Sequence, residues 1–289
     1  MKKRMSKLAI ASLCLCIVAF VCFVGAFMLE NDFLVKVSLC LSIPTVVSSL
    51  LARRKIRKSK DSLAGSGIAL LGVIVGWLLI AGSLFVQTAN GALKTANALK
   101  IGNSGRNVVL SILSANSERE TKELAPLWPS VSADFSGTQK DYTRAPDSET
   151  YFTDLMDSGV LPDLNWYHFA GAGVAAATNR ASFMQGNYNI WNVVAGLDEN
   201  AANDTPFMFT RNLNITIADL RDDRIRLKSK LDRKIVPFGK ERVVWITKGG
   251  VMQVLPRRSL NRTLFSGSSA FNAEINPNAK VLKAKGMPE

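Results

Sequence analysis

The chain has 289 residues, enough for a membrane anchor and one ordinary domain, since domains commonly run to roughly 100–200 residues. It is 47% apolar and 20% charged with a formal net charge of +13, but its apolar residues are heavily concentrated at the start. A lone histidine, His168, excludes multi-histidine zinc sites and most Ser-His or Cys-His catalysis. All four cysteines fall at or before Cys40, so disulfide and thiol redox chemistry are excluded from the remainder.

Three apolar windows open the chain, at residues 8–29, 33–52 and 63–86. The first and third carry no charge and the second only Lys36, so each reaches the roughly 20 residues that cross a bilayer as helix. Three buried core helices in succession would demand a very large soluble core. The first window, preceded by Lys2, Lys3, Arg4 and Lys7, also admits a cleavable leader. Its apolar stretch exceeds the roughly 7–15 residues of a signal core, which favours a retained span. Cys14, Cys16, Cys22 and Cys40 read as small apolar packing residues, and Gly72 with Gly76 as a close-approach helix face.

The basic residues give a direction. Arg53, Arg54, Lys55, Arg57, Lys58 and Lys60 follow the second window, whereas Glu30, Asn31 and Asp32 follow the first. Positive-inside counting puts the N-terminus and the loop at residues 53–60 in the cytoplasm, and three crossings leave residue 89 onward exported. Two domains are expected: a three-span anchor at 1–88 and an exported domain at 89–289. Eleven basic and three acidic residues precede residue 89, so most of the charge excess is a topology signal. The basic loop also suits anionic lipid headgroups, and nucleic acid need not be invoked.

The third span is expected to continue into water as helix over residues 89–117, with Ile101, Val108 and Ile112 on one face and a bend at Gly102 and Gly105. Residues 130–150 read as an exposed polar loop, and residues 151–158 as a short helix stopped by Gly159. Strands are expected at 188–195, 205–210, 242–247 and 251–255, the last two joined at Lys248-Gly249-Gly250, whose glycines suit a tight turn. The tail from about residue 271 is expected to be flexible. The fold class is therefore an α+β membrane protein: three N-terminal spans, the third running on, then a small antiparallel β-sheet.

Two resemblances follow from these residues. Leu8-Ala9-Ile10-Ala11-Ser12-Leu13, Arg54-Lys55-Ile56-Arg57-Lys58-Ser59 and Gly67-Ile68-Ala69-Leu70-Leu71-Gly72 with Val75-Gly76 resemble a bacterial family of small three-segment membrane domains with no established activity. It covers about the first 85 residues, and glycine is missing near Cys14 and Cys16, where the family usually has it. The later order of helix, loop and sheet resembles the pseudopilin-like proteins of type II secretion. The segments W-x-V-V-x-G-L-D at 191–198, T-P-F-x-F-T-R-N at 205–212 and V-V-x-x-x-K-G-G at 243–250 resemble those of large exported pilin-like proteins. That likeness implies a pilin-like exported domain in the bacterial inner membrane, with other envelope or secretion proteins as partners. The peptidase leader of pilins is missing, so processing and filament incorporation are not implied.

Chemical motifs are sparse. Asp198, Glu199, Asn200, Asn203 and Asp204 crowd oxygen donors between two expected strands, a set that suits calcium, which pilin-like domains often use. The spacing is not an EF-hand, and a solvated polar turn accounts for the same residues. Gly171-Ala172-Gly173 with Ala176 matches a dinucleotide fingerprint without the strand that should precede it, so the glycines read as loop residues. His168 between Tyr167 and Phe169 reads as structural. The basic run at 221–234 suits a solvated helix face, or contact with headgroups or an acidic partner. With no cofactor firmly indicated, the expected function is non-catalytic protein interaction or assembly; the alternative is a membrane-tethered sensor or ligand-binding ectodomain.

Overall fold

The computed structural model describes residues 4–28, 32–58, 63–135, 137–221, 227–260 and 278–286. The chain divides into two compact units, residues 1–95 and 96–289. The division falls slightly beyond the expected 88/89 boundary.

The first unit holds β1 (Arg4–Met5), α1 (Lys7–Met28), α2 (Asp32–Lys58), β2 (Leu63–Ala64) and the start of α3 (Ser66–Glu120). Its three helices are long and apolar enough to cross a membrane. Their outer faces carry exposed Val21, Leu51, Leu78 and Phe85, while small residues face inward, with Ala9, Ala52 and Ala69 fully buried together. Such interfaces allow close backbone approach where apolar surroundings supply no hydrophobic drive between helices. A Cβ on Gly76 would lie 2.6 Å from Cγ2 of Val46, and one on Gly72 would strike Ser49, so this glycine pair serves contact with α2. Ser38 Oγ donates to the Ala19 carbonyl at 3.0 Å, tying α2 to α1. Of the cysteines only Cys16 is buried; Cys14 and Cys40 lie exposed on their helices rather than packed as expected.

The second unit takes the rest of α3, then β3 (Ala133–Asp134), β4 (Gln139–Lys140), α4 (Ser148–Asp157), α5 (Arg180–Gln185), β5 (Trp191–Ala195), β6 (Pro206–Thr210), α6 (Ile217–Arg221), β7 (Arg242–Thr247), β8 (Met252–Pro256) and β9 (Lys280–Leu282). The four expected strands are all present, and β9 joins them. β5 to β9 form one antiparallel sheet in the order β8-β7-β6-β5-β9. Every residue of β5 and β6 is buried, so the strands read as apolar runs rather than alternations.

Ile101, Val108, Val109 and Ile112 of α3 are buried in the same core as the sheet. The helix is not interrupted at Gly102 and Gly105, where a bend is expected: α3 runs unbroken for 55 residues. A Cβ on Gly105 would fall 2.6 Å from Cζ2 of Trp191 and against Ile246, and one on Gly102 would strike Met252. These glycines exist for close packing on the sheet, which outweighs their weak helix propensity.

Two other expectations are corrected. Residues 130–150, read as an exposed loop, bury Ala133, Tyr142, Ser148 and Glu149, and Tyr142 stacks on Phe135 at 5.2 Å. α4 starts three residues early because Asp147 caps it, accepting from the Thr150 N–H at 2.9 Å. The expected flexible tail contains β9, which pairs with β5 through Val281 and Leu282. The rest of that tail, residues 271–277 and 287–289, lies outside the described residues.

Candidate functional site

The β7–β8 turn carries a lysine where a sequence reading sees only hairpin chemistry. Gly250 alone takes the positive φ, at 78°. Gly249 is needed for another reason: a Cβ there would lie 2.9 Å from Cβ of Asn203. Its N–H donates to the Asn203 carbonyl at 2.8 Å, and the Lys248 N–H donates to that of Thr205 at 2.8 Å, so the turn is sewn to residues 198–205.

Lys248 is only 4% exposed. Its ammonium donates to the carbonyls of Glu199 at 2.6 Å and Ala201 at 2.7 Å and sits 5.4 Å from the ring centre of Trp128. Burial pushes its pKa down, and the charges of Asp198 and Glu199 oppose that shift. An internal cation therefore occupies the carbonyls around which residues 198–204 are wound. Asp198 turns inward on its own loop, accepting from the Ala201 N–H at 2.9 Å. Among the described residues Asp198, Glu199 and Asp204 do not form a metal-holding group, nor do any other three His, Cys, Asp or Glu side chains.

Beside this loop lies a cleft of about 660 Å³. Its lining includes Asn116 and Glu120 from the end of α3 and Glu123 just beyond it, with Trp128, Glu199 and Lys248. Asn116 accepts from the Leu127 N–H at 2.7 Å through Oδ1, while its buried Nδ2 has no partner. Three carboxylates, an indole and an unused amide donor suit a partner that offers cationic groups and backbone carbonyls.

A second polar cluster is buried beside the start of α4. Ser148 Oγ donates to the Trp191 carbonyl at 2.8 Å and accepts from Asn189 Nδ2 at 2.8 Å. Glu149 Oε1 accepts from the Lys285 N–H at 2.9 Å, and Arg211 donates to the carbonyls of Asn189 at 3.0 Å and Val236 at 2.8 Å. Burial raises the Glu149 pKa from 4.5 to about 7; the N–H of Lys285 pulls the other way, and neighbouring Asp147 adds to the rise. The cluster fastens the segment after β9.

His168 Nδ1 lies 3.3 Å from the Asn165 N–H in a capping box, and the His168 carbonyl accepts from Trp191 Nε1 at 3.1 Å. Gly171-Ala172-Gly173 is a closed turn, bridged from Gly171 to Val174, without the strand–helix frame that dinucleotide binding requires. Sequence reasoning found the acidic loop but missed Lys248, Asn116, Glu149 and Arg211. A turn lysine and a polar helix start carry no sign in the sequence of being buried. No protein-family model matches the chain, and neither the curated proteins nor the solved structures yield a match.

Proposed function

We propose that the chain is a non-catalytic, membrane-anchored protein of the bacterial cell envelope. On this reading its second unit is exported and works by protein contact, in the manner of the pseudopilin-like proteins of type II secretion. The observation that carries the reading is the burial of Ile101, Val108 and Ile112 of α3 in one core with the antiparallel sheet that follows in sequence. One helix thus supplies an apolar segment of spanning length and, further on, the packing face of a soluble domain. The basic residues at the end of α2 support a cytoplasmic N-terminus, and the cleft beside Lys248 supplies a contact surface. Calcium at residues 198–204 would have to compete with the Lys248 ammonium for the loop carbonyls.

The test is chemical crosslinking of the full-length protein in intact cells, followed by detergent capture. Recovery of secretion-system components is expected, and a partnerless monomer overturns the reading. The second reading, a membrane-tethered ligand-binding ectodomain, is favoured by the clefts in the second unit, of about 660 and 620 Å³. Both are within the range of about 300–1,000 Å³ common for ligand sites.

A further inference from the structure

The cleft of about 620 Å³ is lined by Lys230, Arg233, Lys234, Lys240 and Lys283, which come from three separate stretches of the chain. Its frame is fixed by backbone bonds. Leu213 bridges Leu231, Asn214 N–H donates to the Lys230 carbonyl at 3.0 Å, and Asp232 N–H donates to that of Asn212 at 3.0 Å. The fully buried Asn212 side chain donates to the carbonyls of Gly239 and Arg242, both at 2.7 Å, and so holds the segment that carries Lys240.

The two carboxylates of the cleft are already engaged. Asp219 accepts from the Lys230 ammonium at 2.8 Å and from the Thr216 N–H at 2.9 Å, and Asp232 accepts from the Lys234 N–H at 2.8 Å. Among the described residues Arg233, Lys234, Lys240 and Lys283 have no carboxylate partner. Like charges gathered along one cleft repel one another, and an entering anion offsets that repulsion. Four of the five cations are lysines, point charges that suit the spread oxygens of phosphate, and the planar fork of Arg233 matches two oxygens of one phosphate group.

We propose that this cleft binds a ligand bearing several phosphate groups, held by Arg233, Lys234, Lys240 and Lys283. The site stands apart from the pilin-like reading, and its failure would leave the crosslinking result untouched.

The test uses the full chain in nonionic detergent, titrated calorimetrically with inorganic tripolyphosphate. Parallel flotation assays use phosphatidylcholine vesicles with or without phosphatidylglycerol. Saturable tripolyphosphate binding that weakens with rising salt is expected. The triple variant Lys234→Ala, Lys240→Ala, Lys283→Ala should weaken it by roughly tenfold or more at an unchanged melting midpoint. If that variant melts lower, Lys240→Glu provides the same comparison. Variant-sensitive flotation only with phosphatidylglycerol assigns the phosphate to lipid headgroups, and tripolyphosphate binding assigns it to a soluble source. Absence of binding to both probes, undiminished binding by the variants, or equal binding of a polyglutamate peptide overturns the proposal.

Discussion

At Glu149 a carboxyl group sits where no water reaches it, between the Ser148 hydroxyl and the Lys285 N–H. Its folded pKa of about 7 stands above the ordinary 4.5, so between those values the folded protein holds a proton that the unfolded chain has released. Stability must then fall as pH rises from about 4.5 to 7, by on the order of 3 kcal/mol for this group alone, and change no further above that window. Glu149→Gln should flatten that slope when melting midpoints are followed across the same pH range. A slope as steep as that of the unaltered protein would show that other groups cause it. Lys248 is the converse case, a charge kept by two carbonyls and an indole. The acidic residues beside it were visible in the sequence, but the cation they surround comes from a turn about 50 residues later and only folding brings it there.

Among the elements, the three apolar helices and four of the five large-sheet strands were legible because each is a run long or apolar enough to declare its period. β9 was not: Val281 and Leu282 are too few to form a pattern, and their partners on β5 lie far back in the chain. The buried segment around Tyr142 and Glu149 was misread because its polar residues satisfy one another inside, which composition does not reveal. Gly102 and Gly105 of α3 were seen, but their purpose lay in side chains of the sheet. Gly105→Ala should lower the melting midpoint, because overpacking at Trp191 and Ile246 costs about 1–3 kcal/mol and exceeds the helix-propensity gain of about 1 kcal/mol. Gly91→Ala, with nothing within 4 Å of its added Cβ, should raise the midpoint slightly. Equal responses at the two positions would refute the close-packing account.

For the whole molecule, the proposed orientation makes a direct demand. Tyr167, 78% exposed, belongs to the second unit, which that orientation places outside. In a variant lacking the native cysteines, Tyr167→Cys should react with a membrane-impermeant maleimide in cells whose inner membrane is intact and accessible. A cysteine at Arg54 should react only after permeabilisation, and the reverse pattern would invert the topology. The position of β9 has a further consequence, in the timing of assembly. β9 supplies the hydrogen-bonding neighbour on the outer side of β5, and the residues after it are locked by Asn192, Ser148 and Glu149. Until the chain has been made through residue 285, β5 must wait with an open edge beside a fully buried strand. A ribosome stalled before that point would leave a protein whose β5 could recruit a stray strand, a hazard that cellular proteases would be the first to meet.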